Sequence, residues 1–296
     1  MPPKASRQKC PLLFLLLACA LAPAARPASH PALERVAVIG ASVTDGFLLP
    51  NEVHAMVTVA DVIQASCVDP IEPPFRMSSM LFFRNPVEYG TRYARAAQEA
   101  DPTLLIAVDF LFWFGYGFTM DEASRLQQLE AGLALLEPFE CPVVVGDFPN
   151  MIVAAREGVG IHGAPMISEW QVPSEETLAQ LNRRLKEWAN ERPHVHVVPM
   201  SDFLEKIRSG RQVEVHGNEW PENSQATLVD KDLLHTTFEG TVGLTLLALD
   251  TLVAGEPDLE ETLFHWDKDV IKQRVLDARK EERAQRMRGV EEPSGG

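Results

Sequence analysis

Cysteine is scarce in this chain: four residues in 296, with Cys10 and Cys19 near the amino terminus and no C-x-x-C pair anywhere. Zinc-ribbon and zinc-finger spacings are therefore missing, and a structural metal site has no support. Cys67 and Cys141 remain, and their residue type leaves two readings open. They would form a disulfide in an oxidising compartment, or serve as small buried apolar side chains. Positive charge is also short, with 27 Lys and Arg against 42 Asp and Glu and a net charge of −15. No basic cluster marks the central region, so a nucleic acid backbone would be repelled. A G-x-x-x-x-G-K-S/T phosphate loop is missing as well.

The amino terminus carries what the remainder lacks. Lys4, Arg7 and Lys9 precede an apolar stretch over 12–17, followed by small residues to Ala28. That run is too short to cross a bilayer and reads as an export signal over residues 1–28. Ala22-Pro23-Ala24 offers a cleavage site. Leu16-Leu17-Ala18-Cys19 offers another, at which Cys19 would be lipidated and anchor the protein to a membrane. The expected location is outside the cytoplasm, periplasmic or secreted.

From residue 33 to about 255, short apolar runs alternate with helical patterns, the signature of a parallel sheet with helices on both faces. Strands are expected over 35–39, 75–83, 104–109, 142–145, 194–198 and 212–216, and the run at 104–109 is apolar up to its last residue, Asp109. Helices are expected over 51–65 with Asn51 as cap, then 86–100, 121–136, 174–190, 202–209 and 238–253. Residues 147–173 form a long Gly- and Pro-rich connection, a length that in compact domains carries function or small local structure. Residues 256–296 form a charged helical tail, with Leu259, Leu263, Trp266 and Val270 expected on one face against the domain.

Two segments bear chemistry. In V-A-V-I-G-A-S-V-T-D-G-F (36–47) a buried strand ends at Gly40 and places Ser42 at its carboxyl end, where open α/β sheets bind ligands. Glycine at 40 allows a tight approach, and the N–H of Ser42 can donate to an oxyanion. In D-L-L-H-T-T-F-E-G (232–240), just before the last apolar helix, the D-x-x-H spacing lets Asp232 accept from one imidazole nitrogen of His235. The other nitrogen is then free to take a proton from a serine.

Together these blocks resemble the first and last motifs of the SGNH/GDSL-like hydrolases. The resemblance implies a flavodoxin-like three-layer α/β/α sandwich with a central, mostly parallel sheet. It also implies a Ser42–His235–Asp232 triad that works without cofactor or metal. The departures are specific. The family carries Asp where this chain has Ala41, and its Gly-x-Asn-Asp block should follow the run at 104–108. Asp109-Phe110-Leu111-Phe112-Trp113-Phe114-Gly115-Tyr116-Gly117 stands there instead, so the family's asparagine oxyanion donor has no match. Gly90 is the candidate for the second block's glycine by chain order alone. Asn150 is an alternative amide donor, and Asp109 a residue to orient another group or meet substrate. The aromatic run 110–118 either borders the site as an apolar pocket or packs beneath the 147–173 loop.

The remaining histidines carry less. His194 and His196 alternate on a strand without a third metal ligand nearby, and His216 lies in a loop. The leading expectation is an exported serine hydrolase that cleaves carboxylic or carbohydrate O-acyl esters through an acyl-enzyme at Ser42. Its partner is a small-molecule or glycan ester; no protein partner is evident. The alternative is a catalytically degenerate binding or scaffold protein of the cell envelope on the same fold. A flavodoxin-like protein with another ligand would leave the D-x-x-H block unexplained.

Overall fold

The structure, a computed structural model, describes residues 30–118 and 121–291; the expected signal over 1–28, Cys19 included, lies outside the described residues. Five strands build the central sheet: β1 (Val36–Gly40), β2 (Phe75–Ser78), β3 (Leu104–Ala107), β4 (Val143–Gly146) and β5 (Val195–Val198). All pairings are parallel and the order is β2-β1-β3-β4-β5, the flavodoxin-like order. Every residue of β1, β3 and β4 is buried, which is why these three read as unbroken apolar runs. Edge strand β2 is half-exposed and keeps Arg76.

Among the described residues eleven helices follow one another: α1 (Leu49–Val53), α2 (Val59–Ser66), α3 (Pro86–Glu99), α4 (Phe112–Tyr116), α5 (Glu122–Leu136), α6 (Ile152–Glu157), α7 (Glu175–Asn190), α8 (Met200–Arg208), α9 (Gln225–Leu228), α10 (Phe238–Gly255) and α11 (Lys268–Glu291). Alternate sheet residues sort the two faces. Ala37, Ile39, Leu105, Val143 and Val145 pack with α3, α5 and α7, whereas Val36, Val38, Leu104, Ile106 and Val144 pack with α2 and α10. The result is a three-layer α/β/α sandwich.

Several local expectations shift. The single helix over 51–65 is two, because Thr58 and Asp61 form a reciprocal capping box that starts α2 afresh. Only Phe75–Ser78 of the 75–83 run is a strand, and Met80–Arg84 makes a 3-10 turn. The 147–173 connection holds α6 and the 3-10 turn Glu169–Gln171. Beyond β5, β6 (Val213–Val215) pairs antiparallel with β7 (Asn218–Trp220) through His216-Gly217, both at positive φ, as a two-residue hairpin needs.

The carboxyl-terminal segment is part of this fold. Leu259 and Phe264 are buried, but Val270 is exposed and Ile271 and Val275 take the inward positions instead. They join Val62 of α2 and Val242 and Leu246 of α10 in one cluster. The helical face is thus one residue out of phase with the spacing set by Leu263 and Trp266, which precede α11. Arg274 donates to the carbonyls of Ala65 and Cys67 at the end of α2, and Arg279 pairs with Asp61. His216 stacks on Trp266 at 3.5 Å and bonds Asp250 at 2.8 Å, while His196 is buried and bonds Glu256 at 2.8 Å. Both histidines have structural partners, and no His/Cys/Asp/Glu group able to hold a metal occurs among the described residues.

Cys67 and Cys141 do not pair. The Cys67 thiol donates to the Ile63 carbonyl at 3.4 Å, and burial pushes it up to about 12 and Cys141 up to about 11. Ile271→Ala should cost about 2–5 kcal/mol in urea unfolding, the range for emptying a packed aliphatic site. A change below about 0.5 kcal/mol, typical of surface positions, would show α11 to be a dispensable tail.

Candidate active site

The chain leaves β1 towards β2 on one side and returns through β3 on the other, so the sheet's switch point lies between β1 and β3. Such a point leaves a crevice outside the carboxyl ends of the strands. Ser42 follows β1, and Asp109 follows β3. A cavity of about 90 Å³ opens there, lined by Ser42, Asp109 and His235 and walled by apolar side chains, among them Phe112, Trp113, Met200, Phe203 and Leu244.

Ser42 and His235 stand 193 positions apart in sequence, yet His235 Nε2 lies 2.9 Å from Ser42 Oγ. His235 Nδ1 lies 2.6 Å from Asp232 Oδ2. The other carboxylate oxygen of Asp232 accepts the N–H groups of Leu234 at 3.0 Å and His235 at 2.9 Å. Burial pushes the Asp232 carboxyl up, but the imidazole and these two amides outweigh it and hold it below the usual carboxylate range. The ring of Phe47 meets the imidazole edge-on at 4.9 Å. Carboxylate, imidazole and hydroxyl are all buried, so each bond of the relay forms in a medium of low dielectric.

The D-x-x-H turn is held from outside. Val229 bridges Thr236, and the Asp230 N–H donates to the His235 carbonyl at 2.8 Å, closing the loop at its base. Leu233 at its tip sits at φ 56°, a left-handed conformation that costs a leucine about 1–3 kcal/mol. Arg208 of α8 restrains it by donating to the Leu233 carbonyl at 3.0 Å and to the Asn150 carbonyl. The motif's continuation also has a structural reason. Thr237 caps α10 by accepting from the Gly240 N–H, and a Cβ at 240 would stand 1.8 Å from the Leu228 carbonyl oxygen.

The serine side of the site depends on Asp109. Its Oδ1 accepts the Ala41 N–H at 2.8 Å and the Thr44 hydroxyl at 2.5 Å; its Oδ2 accepts the N–H groups of Val43 at 2.9 Å and Thr44 at 3.2 Å. Burial raises this carboxyl above the usual range, against the pull of those four donors. Gly40 clears the space: a Cβ there would lie 2.2 Å from both Asp109 Oδ1 and Thr44 Oγ1. Its bareness makes room for the carboxylate, a role different from the tight approach expected in front of the serine.

Two sequence candidates stand elsewhere. Gly90 lies within α3, packed against Phe110, Phe114 and Leu135, and does not line the cavity. Asn150 Oδ1 accepts the Ile152 N–H at 2.9 Å at the start of α6, and Asn150 faces a neighbouring groove. The aromatic run divides. Phe112 and Trp113 wall the cavity, Phe110 and Phe114 pack with Phe82, and Tyr116 stacks on Phe112 and donates to the Pro149 carbonyl at 2.5 Å. The apolar walls from α8 and α10 carried no signal in sequence, since Phe203 and Leu244 read as ordinary core. The spelling G-V-G-I-H-G at 158–163 follows α6, not a strand, and leads into no helix, so it lacks the context of a dinucleotide loop.

No protein-family model matches the chain, and no curated protein matches it by sequence. The site must therefore be read from its own geometry.

Asp232→Asn should loosen the Ser42–His235 contact, because an amide cannot hold the imidazole in the tautomer that the carboxylate fixes. The same variant should change stability in acid. A depressed carboxyl contributes stability that is present above its unfolded value of about 3.9 and is lost as pH falls through the lower folded value. Wild-type protein should therefore lose more stability than the variant below about pH 4 in acid titrations of urea unfolding. Parallel acid limbs would contradict the depressed Asp232 carboxyl.

Proposed function

We propose that this protein is an exported serine hydrolase of SGNH type that cleaves carboxylic or carbohydrate O-acyl esters through an acyl-enzyme at Ser42. The observation that carries the reading is the continuous relay Asp232–His235–Ser42, at 2.6 and 2.9 Å, opening onto an apolar cavity at the sheet's switch point. The flavodoxin-like strand order agrees with it.

Ser42 Oγ attacks the ester carbonyl carbon as its proton passes to His235 Nε2. The carbonyl π pair moves to oxygen, giving a tetrahedral oxyanion for which the Ser42 N–H is the available donor. Collapse of that intermediate breaks the bond to the alcohol oxygen, which leaves with the proton from His235. Water, deprotonated by the same imidazole, then attacks the acyl-enzyme and regenerates the Ser42 hydroxyl. Asp232 stays ionised and stabilises the imidazolium. A cavity of about 90 Å³ is smaller than the roughly 150 Å³ of a cavity that admits benzene, which suits a short acyl group better than a long chain.

One rival reading loses ground on a specific observation. A flavodoxin-like protein would bring its ligand's phosphate to the turn after β1, but the Asp109 carboxylate already takes three amides of that turn. A phosphate there would find those amides already taken.

The test is direct. A fluorophosphonate should label Ser42, p-nitrophenyl acetate should be hydrolysed faster than p-nitrophenyl octanoate, and Ser42→Ala should abolish both reactions with the fold intact. Undiminished turnover in Ser42→Ala, or no labelling of wild type across several probe sizes, would overturn the hydrolase in favour of an envelope binding or scaffold protein.

A further inference from the structure

Among the N–H groups of residues 41–47, all but one are engaged. Those of Ala41, Val43 and Thr44 donate to Asp109. Those of Asp45, Gly46 and Phe47 donate to the carbonyls of Ala41, Val43 and Ser42 at 2.9, 3.1 and 3.0 Å. The Ser42 N–H alone has no acceptor among the described residues. Successive amides in a turn that follows a strand form a concavity that attracts an anion. Here the neighbouring strand supplies that anion from within the chain, and Gly40 admits it.

A second carboxylate shows what an ordinary clamp of this kind looks like. Asp147, after β4, accepts the Ser201 N–H at 2.7 Å and also the Ser201 hydroxyl, and so caps α8. Its serine is consumed by the cap. Asp109 instead bonds the residues on both sides of Ser42 and takes neither the N–H nor the hydroxyl of Ser42 itself.

We propose that Asp109 is a positioning residue of the hydrolase: by holding the amides of Ala41, Val43 and Thr44 it sets the turn so that the Ser42 N–H is presented to the cavity as the oxyanion donor. The proposal rests on the serine-hydrolase reading of this site. In a protein without the expected asparagine donor, the work of that missing group falls to a backbone amide whose direction a remote carboxylate fixes. Withdrawing the carboxylate lets the turn relax, and the donor is lost although Ser42, His235 and Asp232 all remain.

The experiment measures p-nitrophenyl acetate kinetics per active serine, with serines counted by exhaustive fluorophosphonate labelling. Asp109→Asn keeps the shape but sets an amide NH2 against N–H donors. Its kcat per labelled serine should fall about 10²–10³-fold, the size of losing one oxyanion donor, with KM changed by less than about threefold. Thr44→Val removes the hydroxyl donor and leaves the three amides, and its kcat should fall about three- to tenfold, again with KM held. A purely structural Asp109 would lower the melting temperature and the number of labelled serines but leave kcat per serine at the wild-type value, and that result overturns the proposal. If Asp109→Asn does not fold, Thr44→Val decides it, and an unchanged kcat there overturns it equally. Failure of the underlying reading looks different: wild-type protein would then neither label nor turn over.

Discussion

A carboxylate buried at the end of β3 holds the turn at the end of β1 through three amides and a hydroxyl, and the geometry of Ser42 depends on that grip. Four donors around one carboxylate offset part of the desolvation that burial imposes, which is how an acid is tolerated between two fully apolar strands although burial still raises its carboxyl. The arrangement also constrains sequence on both sides. Position 40 has room only for glycine, and position 44 needs a side chain that can donate. The turn is further tied to the sheet edge, because Ser78 at the end of β2 donates to Asp45 at 2.8 Å.

The other half of the site is built by a separate device. A strained leucine turn, closed at its base by the Val229–Thr236 bridge and held at its tip by Arg208, brings Asp232 beneath His235. It then runs directly into α10, the apolar helix that packs across β4 and β5. Rigidity on this side comes from the bridge, the Arg208 bond and the packing of α10, and on the Ser42 side from the hydrogen bonds of Asp109. The two meet at one contact of 2.9 Å, where small displacements of either element would matter most for proton transfer.

Much of this was legible in the sequence, for physical reasons that differ by element. β1, β3 and β4 stood out because strands buried on both faces must be apolar throughout. Ser42, Asp232 and His235 stood out because each pairing requirement is local: a hydroxyl one residue past a strand-end glycine and its neighbour, and a carboxylate three residues before an imidazole. What was not legible is contact between distant turns. The hydrogen bonds of Asp109 reach 65 to 68 positions back along the chain: its place at a strand end marks it as a residue to orient another group, but nothing in D-F-L-F-W says which turn it holds. Chain order pointed to Gly90 and Asn150, and both are absorbed by helix packing and capping. The division of 51–65 into two helices is not legible in sequence, because Thr58 and Asp61 look like interior polar residues until their capping box is seen.

The central claim, that the Asp109-held turn presents Ser42 Oγ and N–H to one cavity, is tested most directly by a crystal structure of the protein with a small phosphonate bound to Ser42. The expected result is a phosphonyl oxygen 2.7–3.1 Å from the Ser42 N–H, the span for an oxyanion donor, with Asp109 still bonded to Ala41, Val43 and Thr44. An adduct whose oxygen turns away from that amide, or a turn from which Asp109 has withdrawn, would contradict it.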